Sequence, residues 1–389
     1  MSLEVKTEPL EQRIARAALA LRLREPDSLF LSHAWLEAST ESWRNRVDFD
    51  LLELDRPSQL PVWALVSRRR EWRHGFLPVN VIALNQSCCP SLDQPWIERN
   101  GLYGQRPQDF DRDFSALMNR IIEDPDWDEL RLPGLSSDHA RQALYEAARI
   151  GLVGRLELEQ PSFNIDLNRI RTENAGDYLR ALSSNTRQQL RRAKRLAEET
   201  LGPVRIDEAG TCEQALAWFN ETGPLHRARW SRPDSSEFDS GFDNPEFVRF
   251  HQNLIKKAFS TQSVQYLKCS AGGKDLAYLY NFVSGDRVHF YLSGVNYELD
   301  QAIKPGMLSH WTAIERNLRA GLGSYDFLAG DARYKRSLST GEDRTLWLVF
   351  RRPRMKLEME NWARRLKQRL AGHEADALHR IDQPKPTRE

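Results

Sequence analysis

The chain has 389 residues, and its 56 basic side chains against 55 acidic ones leave a net charge of +1, so no global field draws it to nucleic acid or to a membrane. That length exceeds one ordinary domain, and an apolar fraction of 40% is that of a globular protein, so two folded domains are the first expectation. Four cysteines, two of them the adjacent Cys88-Cys89, make no disulfide framework and fit a reducing, cytoplasmic setting. The opening MSLEVKTEPLEQRIARA has no signal-peptide core, and the longest apolar stretch, Phe76 to Leu84, is too short to span a bilayer.

In chain order, Ile14, Ala17, Ala18 and Leu21 predict a helix over 11–23, and 32–42 reads as a second with Ser32 as N-cap. Strand-like runs follow at 49–54, 62–67 and 79–84. A helix over 109–122 leads to a short strand, 129–132, ended by Pro133-Gly134; Ser136 or Ser137 caps a helix reaching 150, and 154–167 reads as a long strand pair or a crossover strand. The second half starts afresh with helices at 174–181 and 185–200, a strand at 204–206 and a helix at 212–229. The Ser, Asp and Gly content of 233–244 predicts a mobile loop. A helix over 246–260 precedes three meandering strands, 264–270, 275–284 and 287–294. A helix opens at Pro305-Gly306, strands span 325–328 and 346–350, and a basic helix over 355–370 ends before a fraying tail. One order of elements thus occurs twice, without a residue-level repeat.

The segment from Asp286 to Arg336 carries the most chemistry. The first-turn amides of a helix lack intrahelical partners and carry the positive end of the dipole, so the Pro305-Gly306 mouth can bind an anion. Pro loses nothing there, and Gly lets a phosphate come close to the backbone. The plain alternative is an ordinary helix start. The strand ahead alternates His289, Tyr291 and Ser293 with Phe290 and Leu292, so one polar row can line a cleft. Asp331, Tyr334 and Lys335 follow a strand end, where sites gather in open α/β sheets, although a solvated charged loop reads equally well. His226, Arg229 and Trp230 end a helix, as an acceptor pocket or as cations favoured at a helix C-terminus beside a core tryptophan. Arg187, Arg191, Lys194 and Arg195 share one helical face opposite Leu190, Ala193 and Ala197, which suits a polyanion or simply solvent. P-loop, dinucleotide, zinc-ligand and nucleophile-elbow patterns are all absent, so no metal is expected.

Four runs together, Lys304-Pro305-Gly306, YDFLAGDARYKRSLS (325–339), LHRARW (225–230) and SSNTRQQLRRAKRLAEE (183–199), resemble the acyl-CoA-binding core of the GNAT N-acetyltransferase superfamily. Within it, the chain is similar to the branch of cellulose-biosynthesis-associated acetyltransferases and Fem-type peptidoglycan aminoacyltransferases. The likeness covers 167–350; the N-terminal half shares LFLSHAWLEA and an αβ pattern. The resemblance implies an α/β chain of two GNAT-like domains, 1–166 and 167–372, each a mixed, mostly antiparallel sheet flanked by helices, with 373–389 as a flexible tail. It implies acyl-CoA, acetyl-CoA first, as co-substrate. The donor's amide arm would meet Leu292, Ser293, Gly294 and Val295, and its pyrophosphate Pro305, Gly306, Met307 and Leu308. Asp331 would orient or deprotonate the amine, Tyr334 would protonate the leaving thiolate, and His226 is the alternative base. Arg187, Arg191, Arg229, Trp230, His289, Tyr291 and Lys335 are the expected substrate contacts. The expected acceptor is an amine on a sugar nucleotide or another envelope or polysaccharide precursor. That implies a cytoplasmic enzyme, or one at the inner face of the membrane beside polysaccharide machinery. The usual GNAT loop places a basic residue or Gln ahead of Gly-x-Gly or Gly-x-Ala, whereas here Gln301 precedes Ala302-Ile303-Lys304-Pro305-Gly306. A Fem-like aminoacyl-tRNA donor, or an inactive binding module in polysaccharide assembly, therefore stays open.

Overall fold

The computed structural model describes residues 8–56, 59–230 and 240–370. Most of the loop expected over 233–244, and the expected tail 373–389, lie outside them. The elements run α1(Leu10–Arg22), α2(His33–Trp43), β1(Asp48–Arg56), β2(Gln59–Arg73), β3(Leu77–Leu84), α3(Phe110–Ile122), β4(Glu129–Ser136), α4(Ser137–Arg149) and β5(Val153–Asp166). They continue as α5(Leu167–Glu173), α6(Tyr178–Ala181), α7(Ser184–Thr200), β6(Val204–Glu208), α8(Cys212–Trp230), α9(Pro245–Ala258), β7(Val264–Ala271), β8(Lys274–Ser284) and β9(Arg287–Val295). The last are α10(Pro305–Arg319), β10(Ser324–Ala329), α11(Arg333–Leu338), β11(Gly341–Arg351) and α12(Met355–Leu370). This is the expected α/β class, with mixed, mostly antiparallel strands flanked by helices.

Two compact units divide the chain. Unit 1 comprises 8–24, 43–56, 59–159 and 344–370; unit 2 comprises 25–42, 160–230 and 240–343. The division is therefore not one cut at 166. The chain leaves unit 1 within β5 and re-enters it within β11. In unit 1 the strand order is β1-β2-β3-β4-β11, with β3 and β4 parallel and the other pairs antiparallel. In unit 2 it is β5-β10-β9-β8-β7-β6, with β9 and β10 the parallel pair. Each unit repeats one theme: an antiparallel meander, a helix, a parallel strand, then an antiparallel strand drawn from the other half of the sequence.

The cores follow from residue spacing. Phe110, Phe114, Leu117, Met118 and Ile121 recur at helical period on α3 and bury with Ile82, Leu130, Leu348 and Phe350 in unit 1. Leu190 and Ala197 of α7 join Phe163, Ile165, Phe290, Trp311, Tyr325 and Phe327 in unit 2. Ser32 caps α2, accepting from the Trp35 amide at 3.2 Å, and Ser136 caps α4.

The helix expected over 174–181 is displaced. Asp166 accepts from the Arg169 amide at 2.9 Å and starts α5 early, and left-handed Ala175 and Gly176 (φ 54° and 73°) then break it before the single turn of α6. β2 continues past Ser67 to Arg73 despite its charges, because its ladder with β3 runs on to Arg73↔Leu77. β4 passes through Pro133-Gly134 to Ser136, with Gly134 at φ 66° beside a bulge between Leu346 and Leu348 of β11. α11 replaces an expected loop.

Two buried histidines shape the response of unit 2 to acid. His251 is enclosed by the rings of Phe247 (4.3 Å between centroids), Tyr291 (5.0 Å) and Phe250 (5.2 Å), and neither of its ring nitrogens has a hydrogen-bond partner. Burial lowers its pKa to about 3, and burial, with Lys335 adding repulsion, lowers that of His310 to about 3.

Two predictions follow from this architecture. Unit 1 needs β11, so residues 1–166 expressed alone should give no cooperative urea transition, and Phe350→Ala in the full chain should cost about 3–5 kcal/mol. A soluble 1–166 fragment with a sharp transition would refute this. Because the folded pKa of each histidine lies below an unfolded value of about 6.5, the unfolded chain takes up protons first as pH falls. Stability should be full above about pH 6.5 and decline below it, each histidine removing about 2 kcal/mol by pH 5. His251→Phe should flatten the decline, read as urea midpoints at pH 7, 6 and 5; an unchanged slope would exclude His251 as a contributor.

Candidate active site

In unit 2 the parallel ladder between β9 and β10 holds only from Arg287↔Ser324 to His289↔Asp326. The cause lies in β10. The Asp326 carboxylate accepts from the Leu328 amide at 2.8 Å and from Ser162 Oγ at 3.4 Å, and Leu328 takes a left-handed φ of 58°. β10 rejoins β5 at Ala329↔Ser162 while β9 follows β8 as far as Val295↔Ala277. The edge of β9 from Phe290 to Val295 is left without a strand partner on its β10 side, in a notch that can receive an extended chain.

The notch leads to the mouth of α10. Gly306 lies beside Val295: a Cβ built on it would sit 3.4 Å from the Val295 methyl. Lys304 precedes the helix in a left-handed conformation (φ 48°), no side chain caps the helix, and its first turn holds no acid. Pro305 has no N–H, and the Leu308 amide donates to Lys304 O at 3.0 Å. The anion site expected over Pro305, Gly306, Met307 and Leu308 therefore narrows to the amides of Gly306 and Met307. α7 flanks this mouth. Lys304 Nζ donates to Gln189 Oε1 at 2.7 Å, and Lys194 lies over the Trp311 ring at 5.3 Å. Arg187 is half-buried and Arg191 exposed on the same helix.

Unit 1 has the same theme without the opening. Its parallel ladder runs from Val81↔Glu129 to Ala83↔Arg131, and beyond it the segment around Asn100 fills the space. Asn100 Nδ2 donates to Pro133 O at 2.8 Å, its amide donates to Gly134 O at 2.9 Å, and Asn85 Nδ2 donates to its Oδ1 at 2.7 Å. A Cβ on Gly134 would meet Ile97 O at 2.3 Å. The corresponding helix, α3, carries Asp111 and Asp113 in its first turn behind Asp109. Asp109 and Asp113 pair there with Arg56 and Arg112, so this helix start is occupied by internal ion pairs.

The expected catalytic residues divide. Tyr334, on α11, stacks on the His310 ring with 5.2 Å between centroids. Burial, reinforced by Tyr297 and opposed by the Arg229 guanidinium, pushes its phenol above the usual range, so the proton stays on oxygen at neutral pH. Lys335 Nζ donates to Ala329 O at 2.6 Å, so it braces the bulged strand end. Asp331 is exposed, and its carboxylate accepts from Arg336.

His226 does not suit a base at neutral pH. Its Nε2 accepts from Trp230 Nε1 at 3.1 Å, which places the proton on Nδ1, 2.8 Å from Ser240 Oγ. Burial, with Arg227 adding repulsion, lowers its pKa to about 4. The polar row on β9 is also corrected. His289 is buried, and half-buried Tyr291 stacks on Phe282 at 4.6 Å and lies 5.0 Å from the His251 ring. A bulge between Tyr280 and Asn281 of β8 leaves Tyr291 out of the ladder, so alternation fails there. Ser293 stays half-buried. Gly294 is needed for close approach, since a Cβ there would meet Thr222 O of α8 at 2.9 Å. Tyr297, Asp326 and His310 escaped sequence reading: the first lies in an unpatterned loop, and the others read as core positions.

Among the described residues no group of His, Cys, Asp and Glu is arranged to hold a metal ion, and no helix is long and apolar enough to cross a membrane. Compared by sequence with curated proteins, the chain matches none. Among solved structures, FemX is similar with a TM-score of 0.55 at 10% identity, over 85% of this chain and 95% of that one. The DUF2156 C-terminal domain of an Agrobacterium fabrum protein named as a lysylphosphatidylglycerol synthetase gives 0.51 at 11% identity, over 88% and 92%. L-PGS from Bacillus licheniformis gives 0.50 at 11% identity, over 95% and 99%. These likenesses are of fold. The family model described as "Acetyltransferase (GNAT) domain" matches residues 184–336, from the start of α7 into α11. That stretch of unit 2, around the notch and the helix mouth, is thus similar to the GNAT acetyltransferase domain.

Proposed function

We propose that unit 2 transfers an acyl group from an acyl-CoA, acetyl-CoA first, to an amine. The observation that carries this reading is the edge of β9 that lacks a neighbouring strand beyond His289 and leads to an acid-free helix mouth. An amide-bearing arm pairs with Phe290–Val295 as a next strand would, and the pyrophosphate takes the Gly306 and Met307 amides. The amine nitrogen attacks the thioester carbonyl, the new C–N bond forms and the C–S bond breaks. One proton leaves nitrogen and one reaches sulfur. Tyr334 is the proposed donor to sulfur, since burial keeps its phenol protonated. Arg229 and Lys335 supply positive charge near the reacting groups, and Asp331 orients the incoming amine.

The acceptor we favour is an amine on an anionic precursor, a sugar nucleotide or another envelope or polysaccharide intermediate. The basic residues of α7, beside the helix mouth, support an anionic acceptor. The same helix favours a second reading, an aminoacyl-tRNA donor, whose binding would weaken steeply with salt. A third, an inactive binding module, predicts donor binding without turnover.

Two substitutions test the main reading. Gly306→Asp has room beside Val295, so melting should be unchanged while CoA affinity by calorimetry falls about tenfold or more. Equal affinity in mutant and wild type would remove the donor from this mouth. Tyr334→Phe keeps the stacked ring and removes one hydroxyl, so turnover should fall by about 10²-fold with little change in KM. Near-normal turnover would exclude Tyr334 as the acid.

A further inference from the structure

Where β9 and β10 part, a histidine stands beside the fork. His289↔Asp326 is the last pair of their parallel ladder. The next residue on each strand, Phe290 and Phe327, packs its ring on buried His310 of α10, with centroids at 4.5 and 5.2 Å. On the same imidazole lies the ring of half-buried Tyr334, its plane 17° from that of His310. His310 Nδ1 lies 3.1 Å from the hydroxyl of Tyr325, which is fully buried. Tyr325 belongs to the part of β10 that is paired on both sides, with Ile165 of β5 and Val288 of β9.

Neither acid–base chemistry nor packing accounts for a histidine at this place. Burial, with Lys335 adding repulsion, lowers its pKa to about 3, so the ring is neutral at pH 7 and too weak a base to take the proton of an amine. An apolar ring would fill the same space without taking polar atoms out of water. What imidazole adds is orientation. The last torsion of an aromatic side chain is broad, so stacking alone leaves both ring planes loosely set. A hydrogen bond is directional, so the bond at Nδ1 fixes the plane of His310, and the stack passes that plane to Tyr334. The other end of α11 is also tied to the core, since the Tyr178 hydroxyl donates to Leu338 O. His310 lies on the helix that opens the donor site, four residues or about 6 Å beyond Gly306. One rigid element thus carries the pyrophosphate amides at its mouth and, one turn deeper, the ring on which Tyr334 rests.

We propose that His310, held by Tyr325, is a positioning residue that sets the ring of Tyr334 so that its phenol faces the thioester sulfur; this rests on the reading of Tyr334 as the acid. The probe is acetyl-CoA, with water or glucosamine 6-phosphate as acceptor, followed as loss of thioester absorbance well below each variant's melting temperature. His310→Phe keeps a ring under Tyr334 and removes the bond to Tyr325; Tyr325→Phe removes the same bond from the other side. Each should lower kcat roughly tenfold, short of the 10²-fold loss expected without the acid itself, with KM for acetyl-CoA and CoA affinity by calorimetry unchanged. In a Tyr334→Phe background neither should lower kcat further, because the hydroxyl they aim is gone. A purely structural histidine would not produce that non-additivity. Tyr325→Phe leaves an imidazole nitrogen without a partner, a state unit 2 already tolerates at His251, so it keeps the test in force if His310→Phe does not fold. Wild-type kcat in both variants beside a slow Tyr334→Phe overturns the proposal and leaves the acyl-transfer reading standing. So does an equal loss in both backgrounds, or a raised KM at unchanged kcat, which would make His310 part of donor binding. Normal turnover by Tyr334→Phe, or no thioester loss by the wild type with either acceptor, counts against that reading and overturns the proposal with it.

Discussion

The chemistry of this protein depends on one short bond, the Leu328 amide to the Asp326 carboxylate, which ends the parallel ladder early. A non-glycine residue held left-handed inside a strand costs of order 1–3 kcal/mol and persists only where its surroundings fix it. Here β5 on one side, with Ser162, and Lys335 across the strand end supply that fixing. Strain in β10 leaves the edge of β9 beyond His289 without a neighbouring strand on that side. Were Leu328 to relax into the β region, the two strands would be free to zip further and close the notch.

The two units show how little separates a site from a scaffold. Both have a parallel pair and a helix following a meander. In unit 1 the segment around Asn100 satisfies the backbone groups that diverging strands expose, and three aspartates stand at the start of α3. In unit 2 no strand pairs with that edge of β9, and the helix start is free of acid. The difference is made by a few polar side chains on a shared backbone plan, as expected when function is grafted onto a fold.

Much of this was legible in the sequence. Periodicity located most of the helices and strands, Ser32 and Ser136 acted as caps, and Pro305-Gly306 marked the helix mouth. What escaped reading was whatever depends on partners distant in sequence. The ladder that carries β2 through Arg68–Arg73 is set by β3, not by composition. The bulge at Tyr291 broke the alternation used to assign a polar row. The neutrality of His226 follows from its burial and from the charge of Arg227, in a pocket closed by Trp230 and Ser240 that no spacing announces. Nor does a lone Asp326 two residues before a leucine advertise that it caps a strained turn.

The drawing of each unit's last strand from the other half of the chain also sets a clock. The part of β11 belonging to unit 1 begins at residue 344, whereas the preceding stretch of that unit ends at 159, so 184 residues separate them. At roughly 5–20 residues per second, a ribosome takes about 10–40 s to deliver what completes the first core. For that interval β4 presents a bare edge, with Leu130 and Leu132 lacking the cover of Leu348 and Phe350. The nascent chain must therefore wait in a partly assembled state, where chaperones and competing strands have their best access, and unit 2 must emerge before unit 1 can finish.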